Sequence, residues 1–530
     1  MANIAAAADG EVVFDPKRDR LVIVASSLGT VFEWYDFFLY GILASLLGRL
    51  FFTTGNPTTE LLFSLFAFAI GFFFRPLGAV VFGYFGDRIG RKYTFLVTIT
   101  LMGGATAAIG ALPTQATAGV WAPVLLLALR TLQGLALGGE YGGAAIYVAE
   151  HAPRGKRGQY TSGMQASVAG GFLLCLAVVL STRALMTTEQ FEAWGWRVPF
   201  LLSLVMLAIS IYIRMKLSES PVFKAMKAAG TTSKNPIAES FSHKGNIGNL
   251  FVALFGVAAG LTVIYYTSQF GTLYFLQGTA RVPETQALLY MAAGATLAAP
   301  LYVFFGMLSD RYGRKRLLLI GYGLTLVLLF PLFHMMANGA NPALEQATRM
   351  SPVVIELPEC DYSVFGKPAT DCARALEFLT KRGISYSKQP SEALAVVFGG
   401  NRVLGFDKDR YVAALVDAGY PDKADPALMT HWKIIAAVAI MVALSAMTYG
   451  QVAAILVELF PARIRYTSMS IPYHIGTGYF GGFLPVISQY IVVRTGDAYS
   501  GLWYTFGIVA MALVVSAIWL PETKDRDITT

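Results

Sequence analysis

Apolar residues in this chain fall in long continuous runs, separated by short polar segments rich in basic residues. A membrane-spanning helix needs roughly 20 mostly apolar residues. Twelve stretches meet that length: 21 to 50, 61 to 86, 93 to 112, 120 to 149, 160 to 183, 198 to 214, 247 to 277, 287 to 308, 317 to 337, 432 to 457, 467 to 492 and 501 to 520. The pattern therefore predicts an all-α membrane protein with twelve transmembrane helices. One long polar stretch, 338 to 431, separates the ninth from the tenth. Its periodicity predicts a short helix over Cys372 to Arg382, a strand over Ala393 to Phe398 and a second helix over Asp407 to Ala418, hence a small folded cap.

An internal repeat organises the runs. Gly83-Tyr-Phe-Gly-Asp87-Arg88-Ile-Gly90-Arg91-Lys92 returns 223 positions later as Gly306-Met-Leu-Ser-Asp310-Arg311-Tyr-Gly313-Arg314-Lys315. Glu150-x-x-Pro153-x-x-x-Arg157 returns 308 positions later as Glu458-x-x-Pro461-x-x-x-Arg465. Two repeats in one order imply duplicated halves. The offsets differ by 85 residues, which is the insertion that forms the cap. The expected division is a segment 1–20, a six-helix bundle 21–215, a linker 216–246, a second six-helix bundle 247–520 interrupted by 338–431, and a tail 521–530.

Composition removes the soluble alternatives. Of the 530 residues, 55% are hydrophobic and only 14% charged, against about a quarter in soluble domains. The net charge of +8 would suit a nucleic-acid partner in a soluble protein. Here the basic residues cluster at alternate connections, at Arg88, Arg91 and Lys92, at Arg154, Lys156 and Arg157, at Arg311 to Arg316, and at Arg463 and Arg465. That is the positive-inside pattern of cytoplasmic loops. It predicts a multi-pass protein of the cell inner membrane, both termini cytoplasmic, the cap outside and no nucleic-acid partner. Met1 to Arg20 is polar and the apolar run after it is too long for a cleavable leader, so the first helix is expected to be an uncleaved anchor. In an oxidising compartment Cys360 and Cys372 close a loop worth about 3 kcal/mol if they pair; otherwise they are two free thiols.

The Gly-x-x-x-Asp-Arg-x-Gly-Arg-Lys loop resembles the signature of the major facilitator superfamily. Further residues resemble its metabolite:proton symporter family: Glu33-Trp-Tyr-Asp36-Phe-Phe-Leu-Tyr40-Gly41, Arg75-Pro76-Leu77-Gly78, Arg130-x-x-Gln133-Gly134, Gly138-Gly139-Glu140-Tyr141-Gly142-Gly143, Glu219-Ser-Pro221-Val-Phe223 and Glu458-Leu-Phe-Pro461. The resemblance covers the chain apart from the cap. It implies the major facilitator fold and a cytoplasmic gate formed by Gly83, Asp87, Arg88, Gly90, Arg91, Glu150, Arg157, Gly306, Asp310, Arg311, Arg314, Glu458 and Arg465. In such a gate an aspartate faces the positive end of a neighbouring helix and arginines pair with carboxylates.

Charges inside spanning segments cost about 2.5 to 3.5 kcal/mol each and mark pathways unless they are structural ion pairs. Glu33 and Asp36 share a helix face, and Arg130, Gln133, Leu137 and Glu140 form a polar stripe. With Arg75, these groups are expected to point into one interior. Asp36, or alternatively Glu33, is the expected proton acceptor with Arg130 as counter-charge. Arg75 and Arg130 suit a substrate carboxylate, with Gln133, Glu140, Tyr40, Tyr266, Gln269, Tyr473 and His474 as further contacts. Packing is an equal reading for each tyrosine, and a structural donor for His474. No nucleotide-binding loop, metal-ligand spacing or cofactor motif is present. The expectation is not an enzyme but a secondary active transporter, needing no cofactor and no obligate protein partner, that moves a small organic acid with protons. Its alternatives are a betaine- or proline-like zwitterion, an uncoupled facilitator or exchanger, and, in a different class, a membrane sensor or receptor.

Overall fold

A computed structural model describes residues 16–89, 91–139, 141–153, 155–215, 236–243, 245–358, 360, 368–462 and 464–528. The first half comprises α1 (Pro16–Ile42), α2 (Ala44–Phe51), α3 (Pro57–Phe73), α4 (Arg75–Ile89), α5 (Arg91–Ala111), α6 (Trp121–Gly138), α7 (Tyr141–His151), α8 (Arg157–Ala184) and α9 (Arg197–Met215). The second opens with α10 (Asn246–Thr279), which contains three wide π-helical segments, and continues through α11 (Glu284–Ala298), α12 (Leu301–Tyr312) and α13 (Arg314–Ala340).

Among the described residues, eight helices are long and apolar enough to cross a membrane, or ten when each of two bent pairs is one span. This falls short of the twelve expected, for local reasons. Only Leu96–Ala111 remains as a shorter apolar helix within 93 to 112. The stretch 467 to 492 is interrupted by Pro472 and by the wide turns of Gly476–Gly482.

After α13 the chain leaves the bundle and folds as an α/β unit: α14 (Pro342–Met350), β1 (Val353–Leu357), α15 (Asp371–Lys381), β2 (Tyr386–Pro390), β3 (Ala395–Phe398), β4 (Asn401–Leu404) and α16 (Lys408–Asp417). Its sheet order is β2-β1-β3-β4. β1 and β2 are parallel with α15 as the crossover, whereas β3 and β4 form a hairpin turning at Gly399 and Gly400. Their φ values of 57° and 119° suit a tight turn that side chains disfavour. Ile355, Leu376, Leu379, Val396, Phe398 and Tyr411 fill the core of this cap. Both expected helices and the expected strand lie within two residues of these bounds. β2 and β4 are sheet edges whose mostly solvated residues carry no apolar alternation, which is why they were not expected. Cys360 and Cys372 have Cα atoms 6.3 Å apart, with their sulfurs in bonding contact.

The bundle resumes with α17 (His431–Tyr449), α18 (Val452–Leu459), α19 (Arg465–Ile475), α20 (Leu484–Thr495) and α21 (Leu502–Trp519). α8 packs on α1 of its own half and on α11 and α12 of the other. The cap is fixed to the second half: the Arg281 guanidinium donates to the carbonyls of Pro421 and Arg382, and the Tyr386 N–H donates to Gly496 O at 2.9 Å. It also reaches the first half. Asn56 Nδ2 donates to Glu377 Oε1 at 3.1 Å, Lys381 Nζ donates to Gly55 O at 3.2 Å, and Leu62 of α3 is buried in the cap core.

Candidate functional site

Pro76 lacks an N–H and would clash with a carbonyl one turn back, so the span Pro57–Phe82 breaks between α3 and α4. The break sets Arg75 at the seam of the halves, 1% exposed. Its Nη1 donates to Thr477 Oγ1 at 3.2 Å, and the guanidinium lies 5.6 Å from the Trp34 ring and 5.7 Å from the Tyr473 ring. Tyr473 and Tyr449 share a hydroxyl hydrogen bond of 2.8 Å. Around them, Arg75 Nε, Tyr265 Oη, Tyr266 Oη, Gln269 Oε1 and both ring nitrogens of His474 are buried with no hydrogen-bond partner among the described residues. Buried polar groups are nearly always paired, and each orphan costs about 1 to 3 kcal/mol. A cluster of them at one seam is a site built for a polar occupant.

Arg130 and Asp36 are not brought together, which corrects the expected pairing. Arg130 donates to Gln133 Oε1 at 2.7 Å and to the carbonyls of Phe68 (3.2 Å) and Ala67 (3.5 Å). Its faces meet the rings of Tyr40 (4.4 Å) and Phe37 (4.9 Å). Gln133 donates onward to Thr106, and Tyr40 is bonded to Ser64. This network lies within the first half and takes three of the five guanidinium N–H groups. Asp36 instead accepts from Ser203 Oγ of α9 at 2.5 Å. Glu33 and Asp36 line a cavity of about 10 Å³ between α1, α5 and α9, near the smallest that holds one water. The acids thus lie on one face of α1 and Arg75 of α4 packs against another, at Trp34, not in one interior. Glu140 and Gly90 lie outside the described residues, as do the side chains of Gly83, Asp87, Arg88 and Arg91.

At the bundle end opposite the cap, the second copy of the repeated loop clasps the first half. Asp310 accepts from the backbone N–H groups of Gly158 and Gln159 at 2.8 Å each, the exposed amides at the start of α8. Arg314 pairs with Asp310 at 2.8 Å and Glu458 at 3.2 Å, Arg157 lies 3.8 Å from Glu458, and Arg465 pairs with Glu150 at 3.3 Å. A Cβ on Gly306 would sit 2.3 Å from Ser162 Oγ, so only glycine admits this approach. Arg311 is solvent-exposed over Tyr312 and does not join the clasp, because one residue along a helix turns a side chain about 100° away from Asp310. Sequence reasoning missed the tail: Glu522 accepts from Arg314 N at 2.8 Å, and Thr523 donates to Glu458 at 2.8 Å.

A family model described as "Sugar (and other) transporter" matches residues 21–244 and 419–530. The chain belongs to this family. It is a transporter of the major facilitator superfamily, which is not enzymatic. It is 38% identical over 319 residues to the Shikimate transporter of Escherichia coli (strain K12), covering 60% of this chain and 72% of that protein. It is 38% identical over 352 residues to the inner membrane metabolite transport protein YhjE of the same organism, covering 65% and 79%. A relative in Staphylococcus haemolyticus (strain JCSC1435), whose description names proline and betaine, is 26% identical over 519 residues, covering 97% and 90%. The crystal structure of a D-xylose-proton symporter superposes with a TM-score of 0.60 at 16% identity, covering 96% of this chain and 99% of that one, a likeness of fold.

The cap end of this transporter is also shut, by residues that sequence reasoning missed. Glu284, at the start of α11, pairs with Arg183 of α8 at 2.5 Å and Arg49 of α2 at 3.4 Å, and Arg49 also meets Glu192 at 3.0 Å. Charges at helix ends were visible in the sequence; partners across the halves were not. Below them Tyr274 Oη donates to Gly41 O at 2.7 Å, and Phe270 stacks between Tyr274 and Tyr266. With both ends closed, the central cluster is occluded.

Proposed function

We propose that the chain is a secondary active transporter of the cell inner membrane that carries a small organic acid together with protons by alternating access. The observation that carries the reading is the set of orphaned polar atoms around Arg75, Tyr266, Gln269 and His474 at the seam of the halves. A guanidinium binds a carboxylate through two parallel hydrogen bonds, and the neutral partners suit hydroxyls. The relative named as a shikimate transporter supports a hydroxylated acid. The relative whose description names proline and betaine favours a zwitterion. A cationic ligand head needs open aromatic faces, and those of Trp34 and Tyr473 already meet Arg75, so the acid is preferred.

In this reading the twelve runs are twelve spans and the division at 21–215, 247–520 and 338–431 holds. The Asp310 clasp is the cytoplasmic gate, with Glu150, Arg157, Gly306, Arg314, Glu458 and Arg465 around it. The cap faces the oxidising side with Cys360 and Cys372 joined. Asp36, with Glu33 beside it, carries the proton within the first half. Coupling then runs through α1, whose other faces hold Trp34 against Arg75 and Tyr40 against Arg130. Uptake by purified protein in liposomes, screened across hydroxylated, aromatic, di- and tricarboxylic acids and betaines, tests this. An acid that alkalinises the outside as it enters fits the reading. Betaine uptake alone, or acid uptake without proton movement, refutes it.

A further inference from the structure

We infer that the cavity beneath the cap is a second binding site, separate from the central one, for a small hydroxylated carboxylate. The cavity measures about 250 Å³, below the roughly 300 Å³ at which drug-sized pockets begin. Three parts of the chain wall it: Ser45 and Thr58 from the first half, Gln277 and Gln489 from the second, Ser385 and Tyr386 from the cap. Tyr274 lines it, and the stacked rings of Tyr274, Phe270 and Tyr266 stand between it and the Arg75 cluster. The two sites are therefore distinct.

The wall selects the chemistry. Most of its polar groups are hydroxyls and amides, which both donate and accept. Thr380 Oγ1 and Tyr386 Oη lie side by side, buried, and apart from each other neither has a hydrogen-bond partner among the described residues. Two charged groups line the cavity. Glu284 is taken by Arg49 and Arg183. Lys381 spends two of its three donors, on Gly55 O and Glu377 at 3.2 Å each, and keeps one. Lys381 is compensated by Glu377, so the wall is close to neutral; its remaining ammonium N–H suits one carboxylate oxygen, and the hydroxyls and amides suit hydroxyls. The Tyr386 ring is held rigidly: a Cβ on Gly496 would come within 2.7 Å of it. Substrate arriving from the cap side would wait here while the Glu284 lock is closed. The cap, which supplies Ser385 and Tyr386 to this wall, then helps set specificity.

The assignment rests on the organic-acid reading, and the test separates the two. Equilibrium binding of radiolabelled shikimate to the purified full chain in detergent should give two sites per chain. Ser385→Trp, which fills the cavity from the cap, should leave one. Tyr386→Phe, which keeps the ring and the fold, should weaken the cap-side site by roughly 3- to 10-fold, the worth of one neutral hydrogen bond. One site per chain that Arg75→Lys abolishes and neither cap variant touches overturns the second site and leaves the transport reading standing. No binding of shikimate or other hydroxylated carboxylates to any form overturns both.

Discussion

Replacing Asp310 with asparagine tests how the loop end is held shut. The carboxylate accepts two backbone N–H groups at the start of α8 and pairs with Arg314, all at 2.8 Å. Arg314 keeps Glu458 in the variant, so it is not stranded. The loss falls on the contact between halves. Hydrogen bonds to charged groups contribute about 1.5 to 3 kcal/mol each, and a negative charge at a helix start about 0.3 to 1 kcal/mol more. An asparagine carbonyl retains one of the two amides in neutral form. A net loss of about 2 kcal/mol follows, or roughly 30-fold in the ratio of closed to open loop ends. Spin labels at Lys156→Cys and Tyr312→Cys, exposed positions on opposite sides of the clasp, would report it as growth of a longer distance population. Uptake should slow while membrane insertion is unchanged. A distance distribution identical to that of the parent chain would refute the clasp.

Other substitutions separate the remaining roles. Arg75→Lys replaces a planar fork with a point charge and should lower kcat/KM for uptake at least about tenfold, with expression intact; unchanged uptake would remove Arg75 from the site. Asp36→Asn should abolish accumulation against a gradient while substrate exchange persists, and retained accumulation would exclude Asp36 as the proton carrier. Glu284→Gln releases both Arg49 and Arg183 and should speed labelling of Ser45→Cys by a membrane-impermeant thiol reagent several-fold. Cys360→Ser should loosen the cap by about 3 kcal/mol on the chain-entropy model, read as faster proteolytic nicking of intact vesicles, and no change would indicate free thiols.

Up to ten of the twelve expected spans were legible because hydrophobic runs are local in sequence. The cap helices were legible for the same reason: Thr370 and Asp407 cap them, and their apolar faces keep a helical period. Pairings between distant helices were not. Asp36 and Arg130 looked like partners because opposite buried charges attract, yet Ser203 and the carbonyls of Ala67 and Phe68 satisfy them separately. Trp34, Tyr449 and Thr477 carried no signal, since an aromatic or a threonine in an apolar run reads as packing. Only the fold sets them against Arg75 or the tyrosine it covers. The tail residues Glu522 and Thr523 follow the last span and look like a solvated end, but they complete the Arg314 and Glu458 network.

The two closed ends are held by different physics, and this decides which opens first. In the loop-end clasp the pair that crosses the halves, Arg465 with Glu150, is 2% and 18% exposed. Removing one partner of such a buried pair costs about 3 to 5 kcal/mol. The cap-end pairs that cross the halves are wetter, with Arg183 11%, Arg49 36% and Glu284 28% exposed, and the more exposed of them, Arg49 with Glu284, contributes only about 0 to 1 kcal/mol. By these pairs alone the cap end is the more weakly held. The cap offsets this, because burying Leu62 in its core contributes about 1.5 to 3 kcal/mol, and Asn56–Glu377 and Lys381–Gly55 add polar ties across the seam. The insertion thus brings the closure at the cap end nearer to that at the loop end.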